Sequence, residues 1–296
     1  MKSLQNISSS VRQRLLNRSR DDNRAFNEIL QYYAIERFLY RLSLSSHANK
    51  YILKGGVLLR AWSSSDFRST MDIDVLGKTR NEEANIIAQV QDIISIEVVP
   101  DGILFDSNSI QTERITEDAD YSGIRVRLKG LLGTAKIRIQ IDIGFGDVIY
   151  PAPGIASLPC MLDFPSPTLL CYSRESTIAE KFEAMIKLGY LNSRMKDFYD
   201  IWFLSRQFNF ELASLSEAVK CTCKQRGTEV TPNIEAFTED FISTHQAMWI
   251  AFCKRLKQDY VSLSFEIIVK EVEIFLSPII TNVTEKRIWV PAGPWV

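Results

Sequence analysis

Two neighbouring runs of alternating residues constrain this chain more than any other feature. Ile124, Val126 and Leu128 alternate with Arg125, Arg127 and Lys129. Ala135, Ile137, Ile139, Ile141 and Ile143 then alternate with Lys136, Arg138, Gln140 and Asp142. Successive side chains on a strand point to opposite faces, so a period of two fits half-buried strands and no amphipathic helix. Gly130–Thr134 joins the runs as a hairpin. One face of the hairpin is apolar and packs on helices; the other carries Asp142 among cations. From Tyr121 to Arg138 the cations are Arg125, Arg127, Lys129, Lys136 and Arg138, with no acid between them. That face is either simply solvated or a track for phosphates.

Asp72 and Asp74 lie upstream in Thr70-Met71-Asp72-Ile73-Asp74-Val75. On a strand they share one face, with Met71, Ile73 and Val75 on the other. The plain reading is a solvated strand with two acids. Paired carboxylates repel, however, unless a cation lies between them, and the arrangement suits a divalent metal and the phosphates it carries. Asp142 is on a strand that can pair beside them, and three carboxylates can hold two metal ions about 4 Å apart for in-line phosphoryl displacement. Before them comes Lys54-Gly55-Gly56-Val57, where a short buried strand, Tyr51–Leu53, turns into a helix start at Val57–Trp62. Such a junction presents backbone N–H groups to phosphate, although a glycine pair alone also fits a tight turn. Neither a P-loop nor a dinucleotide fingerprint occurs.

The 296 residues allow one large domain or two modest ones, and a formal net charge of −1 makes any nucleic-acid surface a local one. Nothing in Met1 to Leu16 resembles a secretion signal, and no apolar run is long enough for a bilayer, so a cytoplasmic protein with no membrane partner is expected. Five cysteines, at 160, 171, 221, 223 and 253, include no CxxC pair and read as free thiols. With only His47 and His245, zinc chemistry and a Ser-His-Asp triad have little support. Chemistry must rest on carboxylates, lysines and metal.

The first 20 residues are polar, with a short helix around Val11–Leu16. Helices are expected over Asp22–Leu42, apolar on two sides and hence buried, and over Asn81–Ile94. Ser63–Asp66 reads as a loop. Prolines 151, 153, 159, 165 and 167 mark a connector to a helical second half. There, Thr177-x-x-Glu180 suggests a capping box for a helix ending at Gly189, and Arg194–Arg206 forms the next helix. Lys181 lies on the first of these. Asp197 and Asp200 share a face of the second, where Lys196 can offset their repulsion. Helix continues to about Leu276, and Trp289–Val296 packs back on the body. The expectation is an α+β fold divided at 1–50, 51–165 and 166–296.

The ordered segments KGGVLL, RSTMDIDV, IQIDIGFG, AEKFEAMIKLG and RMKDFYDIWFL resemble the AbiEii/AbiGii toxins of the polymerase-beta-like nucleotidyltransferase superfamily. The match runs from about residue 50 to 205, and the tail FLSP…W…GPW is also family-like. The resemblance implies a nucleotidyltransferase-type mixed-sheet core, N-terminal helices and a mostly helical C-terminal domain. It implies transfer of a nucleotide from an NTP, dependent on Mg²⁺ or Mn²⁺, to an RNA acceptor, the tRNA 3′ end in MenT-type relatives. A cognate antitoxin is implied as partner. Asp72 and Asp74 match the metal-binding acids, with Asp142 as third carboxylate, and Lys181 and Asp197 match catalytic residues. Lys54, Gly55, Gly56, Val57, Arg68, Lys181, Lys196 and Asp200 are the implied nucleotide-binding set. Val57 departs from the family's Ser or Thr, so a hydroxyl contact to the triphosphate is lost and backbone N–H groups carry it. Two rival expectations are an NTP-binding module with little catalysis and an enzyme that nucleotidylates protein.

Overall fold

A computed structural model describes residues 4–62, 70–117 and 121–296. Two compact units emerge, Met1–Gly146 with Gly154–Cys171, and Asp147–Pro153 with Tyr172–Val296. The N-terminal helices thus belong with the sheet, and the second unit takes up a short stretch of the proline connector.

In the first unit, α1 (Leu4–Asp21) and α2 (Phe26–Leu44) precede β1 (Tyr51–Lys54) and α3 (Gly55–Trp62). Then follow β2 (Asp72–Gly77), α4 (Glu83–Ile94), β3 (Ile103–Glu117), β4 (Tyr121–Leu132), β5 (Ala135–Gly144), β6 (Gly154–Ser157) and β7 (Thr168–Cys171). The strands form one seven-stranded sheet in the order β3-β4-β5-β2-β1-β7-β6. It is mixed: β2 runs parallel to β5 and β1 parallel to β7, while the other neighbours are antiparallel. The α+β expectation holds.

The hairpin forms as its alternation requires. Gly133 and Thr134 make a two-residue turn, with Gly133 at φ +61°, the left-handed region that tight hairpins use. Ile73, Val75, Ile141 and Ile143 meet Phe38 and Leu42 of α2 and Val90 and Ile93 of α4 in the core. Each such side chain, fully buried, contributes about 1.5–3 kcal/mol. Helix α2 is buried nearly all round, including Arg41, which pairs with buried Asp101 at 2.7 Å.

Two local expectations change, and one strand has no counterpart in the sequence reading. The first helix runs well beyond Val11–Leu16. Met71 precedes β2 and is half exposed, unlike Ile73 and Val75. Strand β3 carries no clean alternation because its pairing with β4 slips between Asp106 and Gln111, an irregularity that breaks the period. Ser63–Asp66 and Arg68 lie outside the described residues.

The second unit is helical: α5 (Arg174–Leu188), α6 (Met195–Gln207), α7 (Leu212–Arg226), α8 (Glu239–Leu256) and α9 (Phe265–Ile280). Helix α5 starts a turn earlier than Thr177-x-x-Glu180 suggests. Its cap is Ser173, whose Oγ accepts the Ser176 N–H, while Thr177 Oγ1 donates to the Ser173 carbonyl from inside the helix. The helix does stop at Gly189, at φ +49°. Phe198, Phe241, Phe265 and Trp249 pack as an aromatic core, in stacked, tilted and edge-on pairs. A small ribbon of β8 (Phe210–Glu211) and β9 (Ile288–Trp289) ties down the tail. Trp289 donates to the Ser205 carbonyl at 2.6 Å and packs on Phe275 at 4.9 Å and Trp295 at 5.5 Å. Among the described residues no helix is long and apolar enough to cross a membrane.

Trp289→Ala is expected to lower stability by about 3–5 kcal/mol through the lost packing, with the lost indole hydrogen bond adding to it. Urea denaturation followed by tryptophan fluorescence checks this; an unchanged midpoint would show that the tail is not part of the folded body.

Candidate active site

Strand β1 passes into α3 without a loop, through Gly55 at φ +71°. A Cβ at this position would lie 2.0 Å from Asp74 Oδ2. Only glycine therefore accepts both the backbone angle and the carboxylate pressed against the helix start. Gly56 and Val57 are buried. The Val57 side chain belongs to the core, so its contribution to any ligand at this end is its backbone.

The sheet register sets charges in rows. Lys54 on β1 lies opposite Asp74 on β2, Asp74 opposite Asp142 on β5, Asp142 opposite Arg125 on β4, and Arg125 opposite Glu113 on β3. The next row runs Asp72, Gln140, Arg127, Gln111. Partners in register share a face, so Asp72, Asp74 and Asp142 all project from the side away from the isoleucine core. Asp72 and Asp74 are half-buried and Asp142 is buried.

Asp142 differs from the other two. Arg125 Nε and a terminal guanidinium nitrogen donate to its two oxygens, each at 2.7 Å, and Gln140 donates at 3.3 Å. Arg127 forms a second fork with Glu113, both bonds at 2.8 Å. The acids that answer this basic hairpin come from neighbouring positions and strands that its own acid-free run does not reveal. Among the described residues no three His, Cys, Asp or Glu side chains converge as a metal-ligand set. Asp72 and Asp74 share one face of β2, with the Asp74 carboxylate packed against Gly55, and are the carboxylates that could hold a divalent cation; Asp142 lies alongside with both oxygens engaged by Arg125.

The second unit holds a separate cluster. Lys181 on α5 donates to Asp197 at 2.9 Å and lies 2.6 Å from Asp200, both on α6. Arg194 donates to the other Asp197 oxygen at 2.6 Å. Asp197 and Asp200 are fully buried, and Lys181 nearly so. Burial by itself raises the Asp197 carboxyl, but the charges of Lys181 and Arg194 outweigh it and hold the group down at about 2. The Lys181 ammonium is thereby fixed in one place. Sequence reasoning joined Lys181, Asp197 and Asp200 through their motifs but missed Arg194 as a member. It also missed a buried group around Arg226 of α7, which binds Asp147 and Glu183, each at 2.9 Å. No short motif marks that group, because its members are scattered along the chain.

A carboxyl held below its unfolded value stabilises the fold above about pH 4, and that stabilisation drains away as pH falls toward 2. The contribution is of order 2 kcal/mol. Asp197→Asn should be less stable than wild type at pH 7, with the gap narrowing as pH falls below about 4. Denaturant titrations across that range check it, and a gap constant with pH would contradict the ion-pair account.

Two solved structures resemble the chain. One is of a protein from H. pylori assigned as a nucleotidyltransferase, with TM-score 0.50 and 15% identity over 86% of this chain and 98% of that one. The other is JHP933 from Helicobacter pylori, with TM-score 0.50 and 14% identity over 88% of this chain and 97% of that one. At such identity they speak for the fold alone. No curated protein sequence matches the chain. The pattern of the family described as "Nucleotidyl transferase AbiEii toxin, Type IV TA system" matches residues 37–271, a span that takes in the glycine junction, the aspartate strand, the hairpin and the Lys181 and Asp197 helices. The chain belongs to the AbiEii family of nucleotidyltransferase toxins of type IV toxin–antitoxin systems.

Proposed function

We propose that this toxin moves a nucleotide from an NTP to an RNA acceptor, the tRNA 3′ end, using Mg²⁺ or Mn²⁺ held by Asp72 and Asp74. The observation that carries the reading is the Asp74 carboxylate set against Gly55 at the start of α3. A carboxylate beside a helix start is where a cation and a triphosphate can share one site. The acceptor oxygen bonds to the α-phosphorus, the bond to the bridging oxygen breaks, and pyrophosphate leaves. Backbone N–H groups of Gly55, Gly56 and Val57 hold phosphate oxygens, and Lys54 adds a positive charge. Asp72 and Asp74 would hold the divalent cation, which would supply charge neutralisation of the triphosphate and a lowered pKa of the attacking hydroxyl. Asp142 takes the hydroxyl proton, for which it must surrender one of its two bonds from Arg125. By the family resemblance, Lys181 has the role of offsetting developing charge, and within the second unit Asp197 and Asp200 hold its ammonium. A cytoplasmic setting, where NTP and tRNA are found, and a neighbouring antitoxin belong to the same reading.

One observation favours a second reading. The Arg125–Asp142 fork occupies the third carboxylate, as a module that binds NTP with little turnover would tolerate. Labelling separates the two. With α-labelled NTPs, Mg²⁺ and total RNA, the wild-type chain should label RNA, and Asp72→Ala should lose about 10²–10³-fold of that rate. Equal labelling by both proteins would end the assignment. Calorimetric NTP binding without turnover would favour the binding module, and label in protein would favour protein nucleotidylation.

A further inference from the structure

Beyond Asp72 the polar face of the sheet continues into an open cleft of about 710 Å³. It lies wholly within the first unit. Asp72 and Gln140 stand at one end, and Arg127, Lys129, Arg138 and Ser109 line the rest. The third row of the register explains its charge. Lys129 on β4 lies opposite Arg138 on β5, two residues along from the row that holds Asp72. Two residues of strand are about 7 Å. Arg125 and Arg127 are neutralised by their forks to Asp142 and Glu113, whereas Lys129 and Arg138 are exposed and have no ion pair among the described residues. Asp106 is the register partner of Lys129 on its other side; its Oδ1 accepts the Asn108 N–H, and no ion pair joins it to Lys129 among the described residues. Lys136 adds a further exposed cation on the same face of β5.

Two like charges directly opposite on neighbouring strands are unfavourable by themselves. The pair becomes favourable when an anion lies across it. The row of paired acids beside Asp72 and the row of unpaired cations beyond it give the face a direction, with the metal-carboxylate end adjacent to a phosphate-binding end. We infer that this cleft seats the acceptor strand, with Lys129 and Arg138 gripping backbone phosphates just behind the 3′-terminal nucleotide so that its hydroxyl reaches the Asp72–Asp74 end. The assignment of the strand as acceptor rests on the proposed function. The cleft's contacts are to phosphate, so the grip is sequence-tolerant and salt-dependent.

The test uses the full chain and a 12-nucleotide single-stranded RNA with a free 3′-hydroxyl, labelled at its 5′ end. Anisotropy titrations compare wild type with Lys129→Gln/Arg138→Gln, the charge-preserving Lys129→Arg/Arg138→Lys, and Lys254→Gln on the second unit as control. The Gln pair should weaken binding at least tenfold at low salt, and its slope of log K against log salt should shrink by about 1.4, the value for two single-strand phosphate contacts. The charge-preserving pair should restore most of the affinity, the control should match wild type, and NTP affinity should stay unchanged throughout. RNA affinity equal in all four proteins overturns the inference. So does a Gln pair that loses NTP affinity while keeping RNA affinity, because the cleft would then be the nucleotide's. Binding of a protein acceptor in place of RNA overturns it as well. Failure of the proposed function looks different: Asp72→Ala would label RNA as wild type does, whatever the Gln pair does to binding.

Discussion

The register of β2 is the constraint on which the first unit depends. Strand β2 lies between β1, antiparallel, and β5, parallel, and that placement puts Asp74 in line with both Lys54 and Asp142. A slip of one residue would turn Ile73 and Val75 outward and drive the carboxylates into the isoleucine core. The hydrophobic burial of those residues therefore holds the acids on the open face. Gly55 completes the arrangement from the other side, since any side chain there would collide with Asp74. Core packing and site geometry are the same physical event seen from two faces of one sheet.

The buried charges of this protein are handled by pairing at short range, because a charge removed from water needs a partner. In the second unit, Lys181, Arg194, Asp197 and Asp200 are buried or partly buried together, and Arg226 gathers Asp147 and Glu183. Removing such groups from water costs several kcal/mol per ion, which pairing offsets only when the geometry is good. The forks of Arg125 and Arg127 are the first unit's version. Against this background, Lys129 and Arg138 of the third register row are exposed cations with no ion pair among the described residues.

Much of this was legible before any coordinates. The period of two between Ile124 and Ile143 dictated a hairpin, because no helix can bury alternate residues. The same rule placed Asp72 and Asp74 on one face. The glycine pair and the helix stop at Gly189 were readable because positive φ favours glycine. Strand β3 was not readable: the irregularity near Asp106 erases its alternation, and an edge strand needs less of it. The start of α5 was misplaced because Thr177-x-x-Glu180 and Ser173 offer competing caps within one turn. Which of the two begins the helix depends on the chain that precedes it.

The sequence alone settled the local conformations and the chemical inventory: carboxylates in place of histidines, a glycine junction, and a basic hairpin with no acid of its own up to Arg138. Local sterics and hydrophobic period act over a few residues, so they can be read from a few residues. Tertiary structure decided who meets whom. Arg125 with Asp142, Arg127 with Glu113, Asp74 against Gly55, and Lys129 beside Arg138 all join separate elements. Their meeting depends on strand order and register, which arise from burying the whole apolar face at once. No short window of residues contains that information.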